Sequence, residues 1–266
     1  MSFIRTKRNG KYLYRQEVES YRDVLGRPRL RVLRHLGPVR PPSVQHLEGD
    51  CLELIPSLAD ASVDVLITDP PYSVMADYEW DKKDMAFYDT WLTLLKPKLK
   101  AKHSGFIFCD SRRLHEFEGI VQKHFTIKNR IMWIRKNLSM GRIIKGTFIS
   151  SYEVILYFGS RELNLPKDWG NERFDSCEFA VPQSNFTDKK VHPTQKPLEL
   201  ITRLVKVGSY KGDVILDCFA GSGVLARACN AVPGRYCILM EENREYNQVI
   251  KGVLNELGQS GQGWDH

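Results

Sequence analysis

From residue 46 onward, short apolar runs alternate with longer stretches of helical period. The runs are VDVLITD (63–69), GFIFCD (105–110), NRIMWIR (129–135), YEVILYF (152–158), DVILDCF (213–219) and RYCILM (235–240). Several are continuously apolar rather than alternating, the pattern of central strands covered on both faces. Between them, FYDTWLTLLKPKL and PLELITRLVKVG carry apolar residues at helical spacing. Strands alternating with helices predict an α/β fold, a mixed but mostly parallel sheet with helices on both faces. NRIMWIRK and SSYEVILYF follow each other across a loop with Gly and Lys, which predicts one antiparallel pair.

Residues 1–40 have a different pattern. KYLYRQEVESYRD alternates weakly and RPRLRVLRHLG more clearly, with Gly26, Pro28 and Gly37 as punctuation. Two or three short strands are expected there. GPVRPPSV, with three prolines, reads as a stiff linker. The expected organisation is a basic β-rich extension (1–40), a main domain (46–256) and a frayed tail (257–266).

Charge sharpens that division. Residues 1–40 hold eleven Lys or Arg and three acids, a net +8, which leaves residues 41–266 at −1. A basic arm on a near-neutral body points to a polyanion partner. No apolar run approaches the roughly 18 residues that would span a bilayer, and no apolar core follows the basic start, so a cytoplasmic location and no membrane are expected. No two of the six cysteines are spaced C-x-x-C, so no metal site is expected, and a reducing compartment fits.

Two stretches carry candidate chemistry. In DVILDCFAGSGVLARACNA a buried strand runs into an acid, a Gly-rich turn and a helix. That arrangement seats nucleotide-like ligands at the carboxyl ends of strands. Gly221 and Gly223 permit a tight turn and close approach, and the helix start leaves N–H groups to bind. The loop alone also fits a dinucleotide fingerprint, with Glu241 placed to hold a ribose. Asp217 at the strand end would repel a diphosphate, and it suits a cationic group such as an amino-acid ammonium. That favours a nucleoside carrying a methionine.

The second stretch is LITDPPYSV (66–74). Asp69 ends a buried strand. Pro70 and Pro71 fix the backbone and supply no N–H. The Asp69 carboxylate and the Pro70 carbonyl then form two acceptors in a fixed arrangement, with the flat Tyr72 ring beside them. An exocyclic amino group on a nucleobase has two donors on one atom and a flat face. Its lone pair is conjugated into the ring, and two acceptors could turn it toward a nucleophilic geometry. Stacking on Tyr72 would contribute about 1–3 kcal/mol, and a base in a duplex would have to be flipped out to reach it.

Taken together, these residues resemble the S-adenosylmethionine-dependent amino-methyltransferases of DNA. DPPY (69–72) is similar to their catalytic tetrapeptide and FAGSG (219–223) to their cofactor loop. HPTQKP (192–197) is similar to the segment that completes the cofactor pocket. Catalytic motif first and cofactor motif second is the order of the β-class, and the resemblance covers residues 46–256. It implies a Rossmann-like methyltransferase fold. It gives Asp69, Pro70, Pro71 and Tyr72 catalytic roles, with Asp69 also touching the cofactor. Phe219, Ala220, Gly221, Ser222 and Gly223 would wrap the cofactor, Asp217 would face its methionine end and Glu241 its ribose. Asp50, beside Cys51, would lie near its adenine, and Thr194 and Lys196 near its carboxylate. Cys218 and Val224 stand where the family often has proline and threonine.

An aspartate opening the tetrapeptide resembles the N6-adenine enzymes, whereas N4-cytosine enzymes more often have serine there. The implied partner is double-stranded DNA, with a homodimer and a cognate restriction nuclease as further candidates. The segment available for target recognition, 159–190, is short. Arg135, Lys136, Arg142 and Lys145 are phosphate candidates, and Tyr78 and Trp80, in the stretch after DPPY, are candidate wedges. The alternatives are N4-cytosine methylation or an RNA substrate, an accessory DNA-binding protein with a relic fold, and a nicotinamide-dependent oxidoreductase. The last rests on GSGVLA alone and gives DPPY no role.

Overall fold

The structure, a computed structural model, describes residues 2–9, 12–38, 43–72, 83–137, 146, 148–167, 173–182 and 195–258. The chain divides into two compact units, Met1–Pro41 and Pro42–His266.

The first unit is an antiparallel sheet of β1 (Ser2–Asn9), β2 (Tyr12–Arg22) and β3 (Pro28–Pro38). The strands are longer than expected, and β3 runs through Gly37 and Pro38, the expected start of the linker. Cross-strand pairing explains the length: Glu17 faces Arg34 and Glu19 faces Arg31 in the register, and both pairs close as ion contacts. Asp23 holds the β2–β3 turn by accepting from the backbone N–H groups of Leu25 and Arg27. On the opposite side of β2, Gln16 and Val18 are buried.

The second unit contains β4 (Val44–Glu48), α1 (Cys51–Leu54), β5 (Val63–Thr68), α2 (Met85–Leu95), β6 (Leu99–Cys109), α3 (Leu114–His124), β7 (Ile127–Arg135), β8 (Tyr152–Gly159), β9 (Ser176–Phe179), α4 (Leu198–Gly208), β10 (Val214–Asp217), α5 (Val224–Ala231), β11 (Tyr236–Glu241) and α6 (Arg244–Glu256). The strands form one sheet in the order β4-β11-β10-β5-β6-β8-β7-β9. All neighbours are parallel except β6–β8 and β8–β7, so the expected antiparallel pair is present.

The continuous apolar runs follow from two covered faces. Val65, Ile67, Phe106, Phe108, Ile155 and Leu239 point to a core shared with α4, α5 and α6. Leu66, Ile107, Val154, Leu156, Ile238 and Met240 point to the opposite core, shared with α1, α2 and α3. Alternate residues of each strand therefore serve different helix layers. The runs did not show β4 and β9. β4 is short and half-polar, and β9 reads SCEF with only partly covered side chains.

At the amino end of the central strands an ionic clasp fixes the register. Arg161, just past β8, bonds both oxygens of Asp213, at 2.6 and 3.2 Å, and lies 3.8 Å from Asp64. Lys100 holds Asp64 at 2.8 Å, and Asp64 also accepts from the Val214 N–H at 3.0 Å. Both acids are buried. Among the described residues, no helix is long and apolar enough to cross a membrane. Arg161→Ala would strip the buried Asp213 of its cation and leave it the Tyr210 N–H, while Asp64 keeps Lys100; it is expected to cost about 3 kcal/mol of stability, read from urea denaturation. A loss below about 0.5 kcal/mol would show that the clasp is ornamental.

Candidate active site at the carboxyl edge of the sheet

Adjacent strands β5 and β10 bring acids to the same edge, Asp69 just past β5 and Asp217 at the end of β10. Thr68 closes β5, and its hydroxyl donates to Asp217 Oδ1 at 2.7 Å while accepting from the Cys218 N–H at 3.2 Å. Asp217 also accepts from the Phe219 N–H at 3.0 Å. The carboxylate is thus fixed by its own turn and by the neighbouring strand. Burial pushes it up to about 7, against the downward pull of those hydrogen bonds.

Asp69 follows Thr68. One oxygen accepts from the Tyr72 hydroxyl, and the other lies 2.6 Å from Lys196 Nζ. Lys196 is itself buried, and its ammonium is 3.1 Å from Glu153 Oε2. It also lies 5.4 Å from the Tyr72 ring centroid and 5.1 Å from that of Phe108. Burial pushes the Asp69 carboxyl up; Lys196 pulls it down, Glu153 adds to the rise, and the net direction is upward. Burial alone would depress Lys196, but the two carboxylates hold it above the usual lysine range. Pro70 and Pro71 are buried, and the Pro71 carbonyl accepts from the Tyr88 hydroxyl, which ties the turn to α2.

The glycine loop is held as tightly. Gly221 has φ +51, and its N–H donates to Glu241 Oε2 at 2.7 Å. Glu241 Oε1 accepts from the Asn243 N–H at 2.8 Å, so both carboxylate oxygens are oriented by backbone. Burial pushes Glu241 up as well. Gly223, at φ +72, caps α5, and a Cβ there would sit 3.2 Å from Ile250. Phe219 is set edge-on against Trp91, 5.2 Å between ring centroids. Asp50 caps α1 by accepting from the Leu52 N–H at 2.8 Å.

These groups surround one cavity of about 450 Å³. Asp50, Cys51, Asp69, Pro70, Pro71, Tyr72, Lys196, Asp217, Phe219, Ala220, Gly221, Ser222 and Glu241 all line it. Gly223 does not; its place is conformational, at the helix start. Thr194, Arg142, Lys145, Tyr78 and Trp80 lie outside the described residues. Arg135 donates to the Ser150 carbonyl and lies 3.7 Å from Glu153, and Lys136 is 3.4 Å from Glu178, so protein groups already engage both. Sequence reasoning missed Thr68, Tyr88 and Glu153. Glu153 left a signal, an acid at the second position of an otherwise apolar strand. It reaches this edge because β8 runs antiparallel to β6, so its first residues meet the carboxyl ends.

The cavity suits a nucleoside-like cation: acids at Asp217 and Glu241, a glycine turn, apolar walls from Phe87, Phe219 and Leu225, and a rigid acceptor at Asp69 on the adjoining strand. The fold is that of an α/β enzyme with its candidate site at the carboxyl edge between β5 and β10. A family model described as DNA methylase, covering N6 and N4 enzymes, matches residues 63–252, and the chain belongs to that family.

Similar proteins include the Type II methyltransferase M.HinfI of Haemophilus influenzae, 27% identical, with 79% of this chain and 68% of that one covered. The Type II methyltransferase M1.MboII of Moraxella bovis is also 27% identical, with 78% and 95% covered. Among solved structures, the M1.HpyAVI–SAM complex aligns with a TM-score of 0.65 at 27% identity, covering 80% of this chain and 99% of that one. The PvuII cytosine-N4-specific DNA methyltransferase shares the fold, with a TM-score of 0.64 at 16% identity over 82% and 95% of the two chains.

The raised Asp217 carboxyl has a consequence for stability. The folded state binds a proton there more tightly than the unfolded chain, so this contribution is present at low pH and is lost as pH rises from 3.8 to about 7. Asp217→Asn removes it. The variant's thermal stability is therefore expected to fall less than that of wild type across that window in pH-resolved melts. Parallel curves would contradict the assignment.

Proposed function

We propose that the protein transfers the methyl group of S-adenosylmethionine to the exocyclic N6 of an adenine flipped out of double-stranded DNA. The observation that carries this reading is the convergence of DPPY and the FAGSG loop on one cavity, from adjacent strands of a chain that belongs to the DNA methylase family. When bound, the cofactor supplies a methyl group activated on a sulfonium. The chain's residues do the rest. Asp217 is placed for the ammonium of the methionine end and Glu241 for the ribose hydroxyls, with Gly221 keeping the backbone close. Asp50 and Cys51, which line the same cavity, serve the adenine end of the cofactor, and Phe219 lines it as well.

Asp69 and the Pro70 carbonyl orient the two amino hydrogens, which directs the nitrogen lone pair toward the methyl carbon. Holding both partners at one rigid edge is mainly proximity and orientation. The Tyr72 ring stacks on the base. In the structure its hydroxyl bonds Asp69, so the base amino group displaces that bond when it enters. The adenine reading rests on the aspartate that opens the tetrapeptide, in keeping with the resemblance to N6-adenine enzymes. N4-cytosine is the second reading.

Residues 1–40 serve as a phosphate grip. The unit's three acids are each paired, Asp23 with Arg29, Glu19 with Arg31 and Glu17 with Arg34. Its net +8 therefore resides on the remaining Lys and Arg. Phosphate contacts position a protein without reading sequence, so residues 159–190 are the proposed recognition segment. A homodimer and a cognate restriction nuclease are the further partners of this reading.

Tritiated cofactor and plasmid DNA, followed by nucleoside analysis, test the reaction. Labelled N6-methyladenine is expected; labelled N4-methylcytosine would move the assignment to the second reading, and no labelled nucleoside would sink both. Asp69→Ala is expected to lower transfer by at least about 100-fold while the protein still binds DNA. Deleting residues 1–40 should weaken DNA binding and flatten its salt dependence. Unchanged binding would assign the arm another task.

A further inference from the structure

Three charged groups from three elements meet around the proposed amino-group clamp. Lys196 stands just before α4, Glu153 at the start of β8 and Asp69 after β5. One ammonium serves two carboxylates, at 2.6 Å to Asp69 and 3.1 Å to Glu153. All three side chains are largely enclosed, with exposures of 5%, 20% and 16% for Lys196, Asp69 and Glu153. Other titratable groups face the cluster: Tyr72 from the same turn, Cys109 from β6 and Asp217 from β10 near Asp69, and Arg135 from β7 near Glu153. A structural ion pair would need only one acid. Glu153 has a cation of its own in Arg135, 3.7 Å away, so its contact with Lys196 is not needed for neutrality and calls for another use.

Methyl transfer to an amino group supplies such a use. The nitrogen lone pair forms the new N–C bond, and the S–C bond breaks with its electron pair going to sulfur. The nitrogen then carries the positive charge. It must lose a proton, the N–H bond pair returning to nitrogen. A carboxylate bound one-to-one by a buried lysine is a poor acceptor for that proton.

We propose that Glu153 is a positioning residue for methyl transfer: by taking a share of the Lys196 ammonium, it leaves Asp69 able to receive the proton that the methylated amino group sheds. Lys196 keeps Asp69 aimed at the clamp, and Glu153 keeps Lys196 from neutralising it. Burial first, and Glu153 after it, push the Asp69 carboxyl up against the pull of Lys196. The inference rests on the methyltransferase reading of the same site.

The test is the pH dependence of single-turnover methylation of plasmid DNA by the full chain, with cofactor binding followed in parallel by calorimetry. Glu153→Gln removes a like charge from Asp69, so the acid limb is expected to move down by about 1 pH unit. Its plateau should fall about threefold, with cofactor affinity unchanged. Lys196→Met removes the opposite charge, so its limb moves up. Glu153→Asp is expected to restore the wild-type limb.

Limbs that move in the same direction, or rates lowered equally at every pH, would overturn the proposal and leave Glu153 a structural residue. Should Lys196→Met not fold, an unshifted limb in Glu153→Gln overturns the proposal by itself. Absence of transfer by the wild-type chain is a separate outcome that removes the underlying reading.

Discussion

Everything at the candidate site depends on keeping carboxylates buried at the carboxyl edge of a parallel sheet. Desolvation opposes each of them, and each is pushed toward its protonated form: Asp69, Asp217 and Glu241. What holds them in place is local and differs from one to the next. Asp217 is tied by the Thr68 hydroxyl and its own turn, Glu241 by two backbone N–H groups, Asp69 by Lys196. Burial raises the cost of each charge and the surrounding hydrogen bonds offset it, so each acid stays fixed where it lines the cavity.

The sheet order turns this local chemistry into a reaction site. β5 and β10 are separated by roughly 150 residues of chain, yet they lie side by side, and the Thr68–Asp217 bond fixes their ends together. The antiparallel β8 brings Glu153 to the same edge from the opposite direction. At the far end of the same strands, Arg161, Asp213, Asp64 and Lys100 fix the register on which this alignment relies. A slip of one residue in β5 would turn its side chains to the opposite helix layer and move Asp69 out of line.

Much of this was legible in the residues. Continuous apolar runs announced strands covered on both faces, and the two stretches of helical spacing hold α2 and α4, the first overrunning into β6. DPPY and FAGSG announced acceptors and a ligand turn at strand ends, and both line one cavity. What escaped depends on tertiary pairing. β9 owes its existence to β7 beside it rather than to its own four residues. Gly223 reads like a ligand contact but is required for its left-handed backbone and its closeness to Ile250. The resemblance placed Lys196 near the cofactor carboxylate, and the structure puts its ammonium on Asp69 and Glu153. No spacing rule links Glu153 to Lys196, because their meeting depends on the direction in which β8 runs.

The central claim is that the two acids at the ends of β5 and β10 divide the work, Asp217 holding the methyl donor and Asp69 the amino group. The most direct measurement is calorimetric titration of S-adenosylmethionine into Asp217→Asn and Asp69→Asn at neutral pH. The account predicts an affinity at least about tenfold lower for Asp217→Asn, the loss of a charge-assisted hydrogen bond, and an affinity near wild type for Asp69→Asn. Equal losses in the two variants, or the larger loss in Asp69→Asn, would contradict it.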